Sequence, residues 1–136
     1  MKTKLMRNTL TIGIVFILAL ISGQVAAQSD IVDDVKEAIK AGSSKECAKY
    51  FNESLDVTID GEMKSYSRIQ AEYVLRDFFK QHPPSSFSIV HQGSSKGGLS
   101  FAIGQYVSKK DTFRVWMRIK NTSSQYLIHE MSFIKE

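Results

Sequence analysis

Two spacings of hydrophobic residues divide the 136-residue chain. In residues 31–51 and 67–82, apolar residues recur every three or four positions, which is typical of amphipathic helices. Residues 31–40 predict a first helix whose apolar side consists of Ile31, Val32, Val35, Ala38 and Ile39. A second short helix is predicted from Ser43, because Ser43 and Glu46 are spaced as a capping box. Cys47 and Phe51 lie on its apolar side.

A hairpin and a longer helix follow. Leu55, Val57 and Ile59 alternate with polar residues, and Asp60-Gly61 suits the positive φ angles of a tight turn. The long helix is predicted from the Ser67/Gln70 capping box to the Pro83-Pro84 stop. Its apolar side is Ala71, Val74, Leu75, Phe78, Phe79 and His82, and its opposite side is Tyr73, Arg76, Asp77 and Lys80.

After residue 84 the apolar period changes to two, which predicts four strands. The third of these strands alternates cleanly, with Phe113, Val115, Met117 and Ile119 on one face. The inward face of the first strand is predicted to consist of Phe87, Ile89 and His91. The inward face of the second is predicted to consist of Leu99, Phe101, Ile103, Gln105 and Val107. The last, "QYLIHEMSFIK", is apolar on both faces, so it is covered on both sides or interrupted by a bulge. Short linkers favour antiparallel pairing of consecutive strands.

The first 27 residues have the pattern of an export signal. Lys2, Lys4 and Arg7 precede an uncharged apolar run, and Val25 and Ala27 fit an A-x-A-like cleavage site. We expect cleavage between Ala27 and Gln28, which leaves residues 28–136 as one domain in the periplasm or outside the cell. An uncleaved anchor is the alternative.

Charge and cysteine content narrow the possible functions. The signal removes three of the 18 basic residues, which leaves 15 against 14 acidic residues, so the main support for nucleic-acid binding is lost. Cys47 is the only cysteine, so no internal disulfide is predicted, and we expect a buried thiol. The three histidines are dispersed and lack the spacing of a metal site. No cofactor is expected.

The order helix, helix, hairpin, long helix and four strands resembles the nuclear transport factor 2-like (cystatin-like cone) superfamily. The export signal, "SYSRIQAEYVLRDFFKQHP" and the final "IHEMSFIK" also resemble a family of short secreted bacterial proteins of unknown function within it. The resemblance implies an α+β fold in which helices pack on a curved antiparallel sheet (α-α-β-β-α-β-β-β-β). It implies no single activity, because the superfamily contains enzymes, ligand binders and dimerising adaptors.

Two surfaces are candidate sites in this fold. Enzymes of the superfamily use the cone between the long helix and the sheet, and an apolar cone with a few polar groups suits a small ligand. The side chains predicted to line this pocket are Phe79, His91, Phe101, Gln105, Met117 and His129. The other face of the sheet is predicted to carry Tyr106, Arg114, Trp116 and Arg118. Aromatic and arginine side chains are enriched at protein interfaces, and sheet-to-sheet dimers are common in the superfamily that the chain resembles.

The sequence therefore favours an exported, non-enzymatic domain that holds a small apolar ligand or binds another envelope protein, and that forms a homodimer through the sheet. One alternative is a small isomerase- or hydrolase-type enzyme that uses His91 or His129 in the cone and needs an ionisable partner beside it. The other alternative is an accessory domain whose core is filled.

Overall fold

The computed structural model describes residues 31–95 and 97–136, so the predicted signal peptide, residues 1–27, lies outside the described part of the chain. The elements are α1 (residues 31–40), α2 (Ser44–Ala48), β1 (Phe51–Ile59), β2 (Glu62–Ser67), α3 (Arg68–Gln81), β3 (Pro84–Ser95), β4 (Leu99–Ser108), β5 (Thr112–Thr122) and β6 (Gln125–Lys135). This is the predicted order, and the α+β cone fold is confirmed. None of the helices that the structure describes is long and apolar enough to cross a lipid bilayer.

Helices α2 and α3 begin after the predicted caps Ser43 and Ser67, and α3 ends before Pro83. Helix α2 ends at Ala48, so Phe51, which was predicted on its apolar side, is instead the first residue of β1. The five apolar residues of α1 are buried, and Cys47 of α2 is fully buried. At the start of α3 the Gln70 N–H donates to the Ser67 hydroxyl, and the Ser67 N–H donates to the Gln70 side chain. This capping box satisfies donors that the first turn of a helix leaves free. Helix α3 buries Ala71, Leu75, Phe78 and Phe79, while Tyr73, Arg76 and Asp77 are exposed, as predicted.

The six strands form one sheet in the order β2-β1-β6-β5-β4-β3. The last four strands pair consecutively and antiparallel, and β1 and β2 form a hairpin across Asp60-Gly61, where both residues have positive φ. The sheet is mixed rather than wholly antiparallel, because β1 and β6 are parallel. A parallel pair needs a long crossover connection, and here α3 and four strands lie between the two along the chain.

The inner face of the sheet, which packs against the helices, is built around aromatic rings. The Phe78 ring lies 4.3 Å from that of Phe133, 5.1 Å from that of Phe113 and 5.5 Å from that of Tyr106, between ring centroids. The alternation predicted for β5 is correct, because Phe113, Val115, Met117 and Ile119 are all buried on this face. The rings of α3 and the sheet therefore fill the deep part of the cone.

The prediction for β4 is wrong, because its two faces are exchanged. Ser100, Ala102, Gly104 and Tyr106 face inward and are buried, whereas Gln105 is exposed on the outer face. Large rings from neighbouring elements occupy the space in front of this strand. A Cβ atom on Gly104 would lie only 2.3 Å from the Phe87 ring. Small side chains are therefore required inside, and the larger Phe101 and Ile103 are left half-buried outside.

Bulges displace two of the histidines. The β3–β4 register shifts between Ile89 and His91, so His91 pairs with Ile103 on the outer face and is exposed instead of facing the cone. In β6, Ile128 pairs with Ile119 and Glu130 with Arg118, which leaves His129 as the extra residue. The second shift is the bulge that the apolar pattern of β6 allowed.

Candidate functional site

A cavity of about 290 Å³ opens at the mouth of the cone, between α3 and the β1–β2 hairpin. Its apolar wall comes from three elements: Val57 and Ile59 of β1, Tyr66 of β2, and Val74 and Phe78 of α3. The same spacing that buries one side of α3 leaves Val74 half-buried at the cavity. Concave, largely apolar sites with a few polar groups are the usual form of small-molecule sites in proteins.

His82 borders this cavity and is held from several sides. It caps the C-terminus of α3, where its N–H donates to the Phe78 carbonyl at 2.8 Å, and its own carbonyl accepts a hydrogen bond from the Tyr106 hydroxyl. The imidazole lies between the Phe78 and Phe113 rings, with centroids 5.1 and 4.9 Å away. Its Nδ1 is 3.4 Å from Asp111 Oδ2.

The Asp111 carboxylate is itself fixed, because its other oxygen is 3.1 Å from Lys135 Nζ. A carboxylate beside one ring nitrogen sets the orientation of an imidazole and leaves the other nitrogen for a ligand. His82 can therefore exchange a hydrogen bond with a molecule in the cavity.

Carboxylates dominate the rim of the cavity. Asp60, Glu62 and Asp77 contribute three, against the single ammonium of Lys64, which lies 3.5 Å from Glu62. Asp77 is exposed, as its position on α3 predicts, yet it borders the opening. The rim favours a neutral or positively charged polar group over an anion, because like charges repel at these separations.

The residues predicted to form a ligand pocket do not come together in this cavity. Phe79 and Met117 are buried in the core, and His91, Phe101, Gln105 and His129 are on the outer side of the sheet. His82 belongs to the predicted apolar side of α3 but is not among the residues predicted to line the pocket. Its partner Asp111 lies in a distant turn, and no local motif connects the two.

The outer face of the sheet carries three of the four residues predicted for an interface. Arg114 and Arg118 are exposed and Trp116 is half-buried, with its ring stacked on Phe101 at 6.4 Å between centroids. His91 lies 5.4 Å from Phe101. We call Phe101, Ile103, Trp116 and His91 the outer patch. Tyr106 is fully buried on the inner face, so its predicted exposure is wrong.

Buried titratable groups lie away from both surfaces. Burial raises the pKa of the Cys47 thiol to about 12, with a further contribution from the nearby Glu46 carboxylate. Burial also raises the pKa of Tyr106, with a smaller contribution from Cys47. No group of three or more potential metal ligands occurs among residues 31–95 and 97–136.

The model of a domain of unknown function, DUF4783, matches residues 32–133, which is most of the chain. The chain belongs to the DUF4783 family. A DUF4783 protein from Bacteroides ovatus is 31% identical to it, with a TM-score of 0.73, over 76% of this chain and 93% of that one. A DUF4783 protein from Bacteroides fragilis is 30% identical, with a TM-score of 0.71, over 76% of this chain and 96% of the other. No curated protein matches the chain.

More distant structures confirm the fold of this DUF4783 domain. An NTF2-like protein of unknown function from Silicibacter pomeroyi is 15% identical, with a TM-score of 0.60, over 85% of this chain and 98% of that one. The predicted resemblance to a family of unknown function within the NTF2-like superfamily is thus confirmed. Identity at this level establishes the fold alone, so function is argued from the geometry.

Proposed function

We propose that this DUF4783 domain is a non-enzymatic binding domain that holds a small molecule with an apolar body at the mouth of its cone. The cavity of about 290 Å³, with its apolar wall and the oriented His82, is the observation that carries the proposal. Its volume is near the lower end of the range for small-molecule sites, so the ligand is small. The filled interior behind Phe78 limits how deeply the ligand enters.

The acidic rim defines the polar end of the ligand. A neutral or cationic group meets Asp60, Asp77 and the imidazole of His82, whereas an anion faces three carboxylates. Three probes share one apolar body and differ in charge: phenethylamine, phenethyl alcohol and phenylacetate. We expect the amine and the alcohol to bind more tightly than the acid in titrations followed by NMR, because the rim repels the carboxylate.

Matched variants of α3 test the location. Val74→Phe fills the cavity and should weaken binding of the amine at least tenfold, whereas Ile69→Phe adds a ring at a position that is 67% exposed and should not. Equal affinity in the two variants, or no binding of any probe to the wild-type protein, would overturn the proposal.

Two features weaken the case for catalysis by the histidines named from the sequence. His91 is exposed on the outer face, and His129 lines a separate groove on that face. An enzyme that uses either of them inside the cone is therefore not proposed.

A second proposed function is self-association through the outer patch. The stacked Phe101 and Trp116 rings are only half-buried, which leaves an aromatic surface of the kind found at interface centres. On the two sides of Trp116, Arg114 Nε lies 3.0 Å from Glu136 and Arg118 pairs with Glu130. Because these charges are paired within the chain, they do not repel a second copy of the same face, so we propose a second copy of the chain as the partner.

Sedimentation velocity over a range of concentrations tests the dimer. We expect a concentration-dependent mass for the wild-type protein and a shift towards monomer for Trp116→Ala. Tyr73→Ala removes an exposed aromatic ring from α3 and should behave as wild type. If Trp116→Ala has the same mass as wild type at every concentration, the interface is wrong.

Export remains a proposal that rests on the sequence of residues 1–27. Intact-mass analysis of protein recovered outside the cytoplasm should give a chain that starts at Gln28. A chain recovered there with residues 1–27 still attached would contradict the predicted cleavage.

A further inference from the structure

A second cavity, of about 430 Å³, lies on the outer face of the sheet, on the opposite side from the cone. We call it the outer groove, and the residues that matter for its chemistry are Ser54, Asp56, Ser65, Arg118, Lys120 and His129. It spans β1, β2, β5 and β6 and reaches Leu99 at the start of β4, whereas the outer patch lies on β3, β4 and β5. The two surfaces are therefore neighbours, and the groove is independent of the cone cavity.

Breaks in strand pairing create this groove. Along β6, His129 is the extra residue between Ile128 and Glu130. On the neighbouring β1, Phe51 pairs with Ile128 and Asp56 with Glu130, so several residues of β1 lie opposite His129 alone. A bulge bends its strand and redirects the extra side chain. Here it brings the imidazole of His129 to the groove.

The acidic groups at the groove already have partners. Glu130 is ion-paired with Arg118, and Asp56 accepts a hydrogen bond of 2.5 Å from the Ser65 hydroxyl. Within residues 31–95 and 97–136, no carboxylate forms an ion pair with Lys120. His129 Nε2 lies 3.4 Å from the Thr122 hydroxyl, which can either donate or accept.

The formal charges around His129 cancel, but the two basic side chains affect its imidazole most strongly. Its pKa is lowered by burial, then by the charges of Lys120 and Arg118. The charged groups around it are Asp56 of β1, Arg118 and Lys120 of β5, and Glu130 of its own strand. Arg118 offsets the charge of Glu130, whereas the hydrogen bond from Ser65 leaves Asp56 charged. Lys120 has no ion-pair partner within residues 31–95 and 97–136, so its ammonium and the imidazole of His129 are the groups that can attract an anion.

We propose that the outer groove binds a small oxyanion, either a free dianion or the same group as an ester on a larger molecule. Lys120 supplies a fixed positive charge, and protonated His129 supplies a second charge and a hydrogen-bond donor. The Ser54 hydroxyl at the same groove can donate to a third oxygen. The amide of Asn52 is less available, because it donates to the Ser54 carbonyl at 2.9 Å.

Binding and protonation must be coupled in this arrangement. An anion beside His129 stabilises the imidazolium and so raises the pKa of His129. By linkage, protonation of His129 increases the affinity for the anion by the same factor. An opposite charge in contact typically shifts a pKa by about one unit or more, and one unit corresponds to a tenfold change in affinity. We therefore expect affinity to rise about tenfold as the pH falls through the titration range of His129.

NMR titration of the histidine ring protons in the intact domain tests the proposal. The probe is sodium sulfate, compared with sodium chloride at equal ionic strength, because sulfate does not titrate in this pH range. We expect sulfate to raise the pKa of His129 by about one unit. His82 and His91 lie outside the groove, so their ring-proton signals should be the same in both salts. Identical titrations of His129 in sulfate and chloride would overturn the proposal.

A pair of lysine variants separates a binding site from a general salt effect. Lys120→Gln should raise the pKa of His129 in chloride, because it removes a neighbouring positive charge, and should lose most of the sulfate response. Lys109→Gln changes an exposed lysine outside the groove and should keep the full response. An equal response in the two variants would contradict the assignment of Lys120.

Methyl sulfate identifies the source of the oxyanion. A response to methyl sulfate as strong as that to sulfate supports an ester-linked group, and a response to sulfate alone supports a free dianion. The absence of a response to either anion would overturn the proposal.

Discussion

Tyr106 connects the helical layer to the sheet through its side chain. It is fully buried, its ring packs against Phe78 and Phe113, and its hydroxyl donates to the His82 carbonyl at the end of α3. Burial raises its pKa, so the hydroxyl stays protonated and remains a donor. This one hydrogen bond helps to fix the backbone that carries His82 to the cavity.

Removal of that hydroxyl should destabilise the domain. Tyr106→Phe keeps the ring and leaves the His82 carbonyl without its donor, which costs about 1–2 kcal/mol. Urea unfolding measures the loss. Tyr73→Phe, which deletes an exposed hydroxyl from α3, should have little effect. Equal stabilities for the two variants would show that the hydrogen bond contributes nothing.

Cys47 should be chemically inert in the folded protein. Its side chain is fully buried, and a pKa of about 12 keeps almost all of the thiol protonated near neutral pH. The thiolate is the reactive form, so both access and ionisation are low. We expect no reaction with a disulfide reagent such as DTNB in native buffer, and one thiol per chain in concentrated guanidinium. Rapid reaction of the Cys47 thiol with DTNB in native buffer would contradict its burial.

At the level of elements, the N-terminus of α3 depends on one serine. The Ser67 hydroxyl accepts from the Gln70 N–H at 3.2 Å, and Ser67→Ala removes that acceptor. We expect a loss of about 1 kcal/mol in the free energy of unfolding. Ser67→Asp retains an acceptor at the same place and should remain closer to wild type. If the alanine and aspartate variants are equally stable, the cap is not a source of stability.

Strands β4 and β5 show what sequence periodicity predicts and where it fails. The inner residues of β5 are large, so simple alternation identifies them. The inner face of β4 is made of small residues and Tyr106, because Phe87 and the rings of α3 fill the space in front of it. The side chains of other elements, and not the alternation within β4, therefore determine which face of β4 is buried. Its larger outward side chains, Phe101 and Ile103, misled the prediction.

The candidate cavity was not predictable for a similar reason. Its wall combines β1, β2 and α3, and His82 is oriented by Asp111, which precedes β5. Such a site leaves no spaced motif in the sequence. The serine caps of α2 and α3 and the Asp60-Gly61 turn were predictable, because caps and turns are determined by neighbouring residues.

At the scale of the whole molecule, His129 should make stability depend on pH. Its folded pKa lies below the unfolded value of 6.5, so the folded state binds the proton less readily. The resulting contribution to stability is present above pH 6.5 and is lost as the pH falls through the lower folded pKa. We expect His129→Gln to lose less stability than wild type on acidification through this range.

Urea unfolding of both proteins at several pH values in chloride measures this difference. Other titrating groups are common to the two chains, so the comparison isolates His129. A constant difference in the free energy of unfolding across the range would show that the folded environment does not disfavour the imidazolium.

The position of β6 has a consequence for how the chain can fold. The last strand lies between β1 and β5, so the hairpin of β1 and β2 and the meander of β3 to β5 share no edge until Gln125–Lys135 is added. Joining them requires contacts between distant parts of the chain, which are slow to form. Until then β1 and β5 each expose an unpaired edge, the kind of surface at which chains aggregate. Completion of the domain, and its protection from aggregation, therefore depend on the final eleven-residue strand.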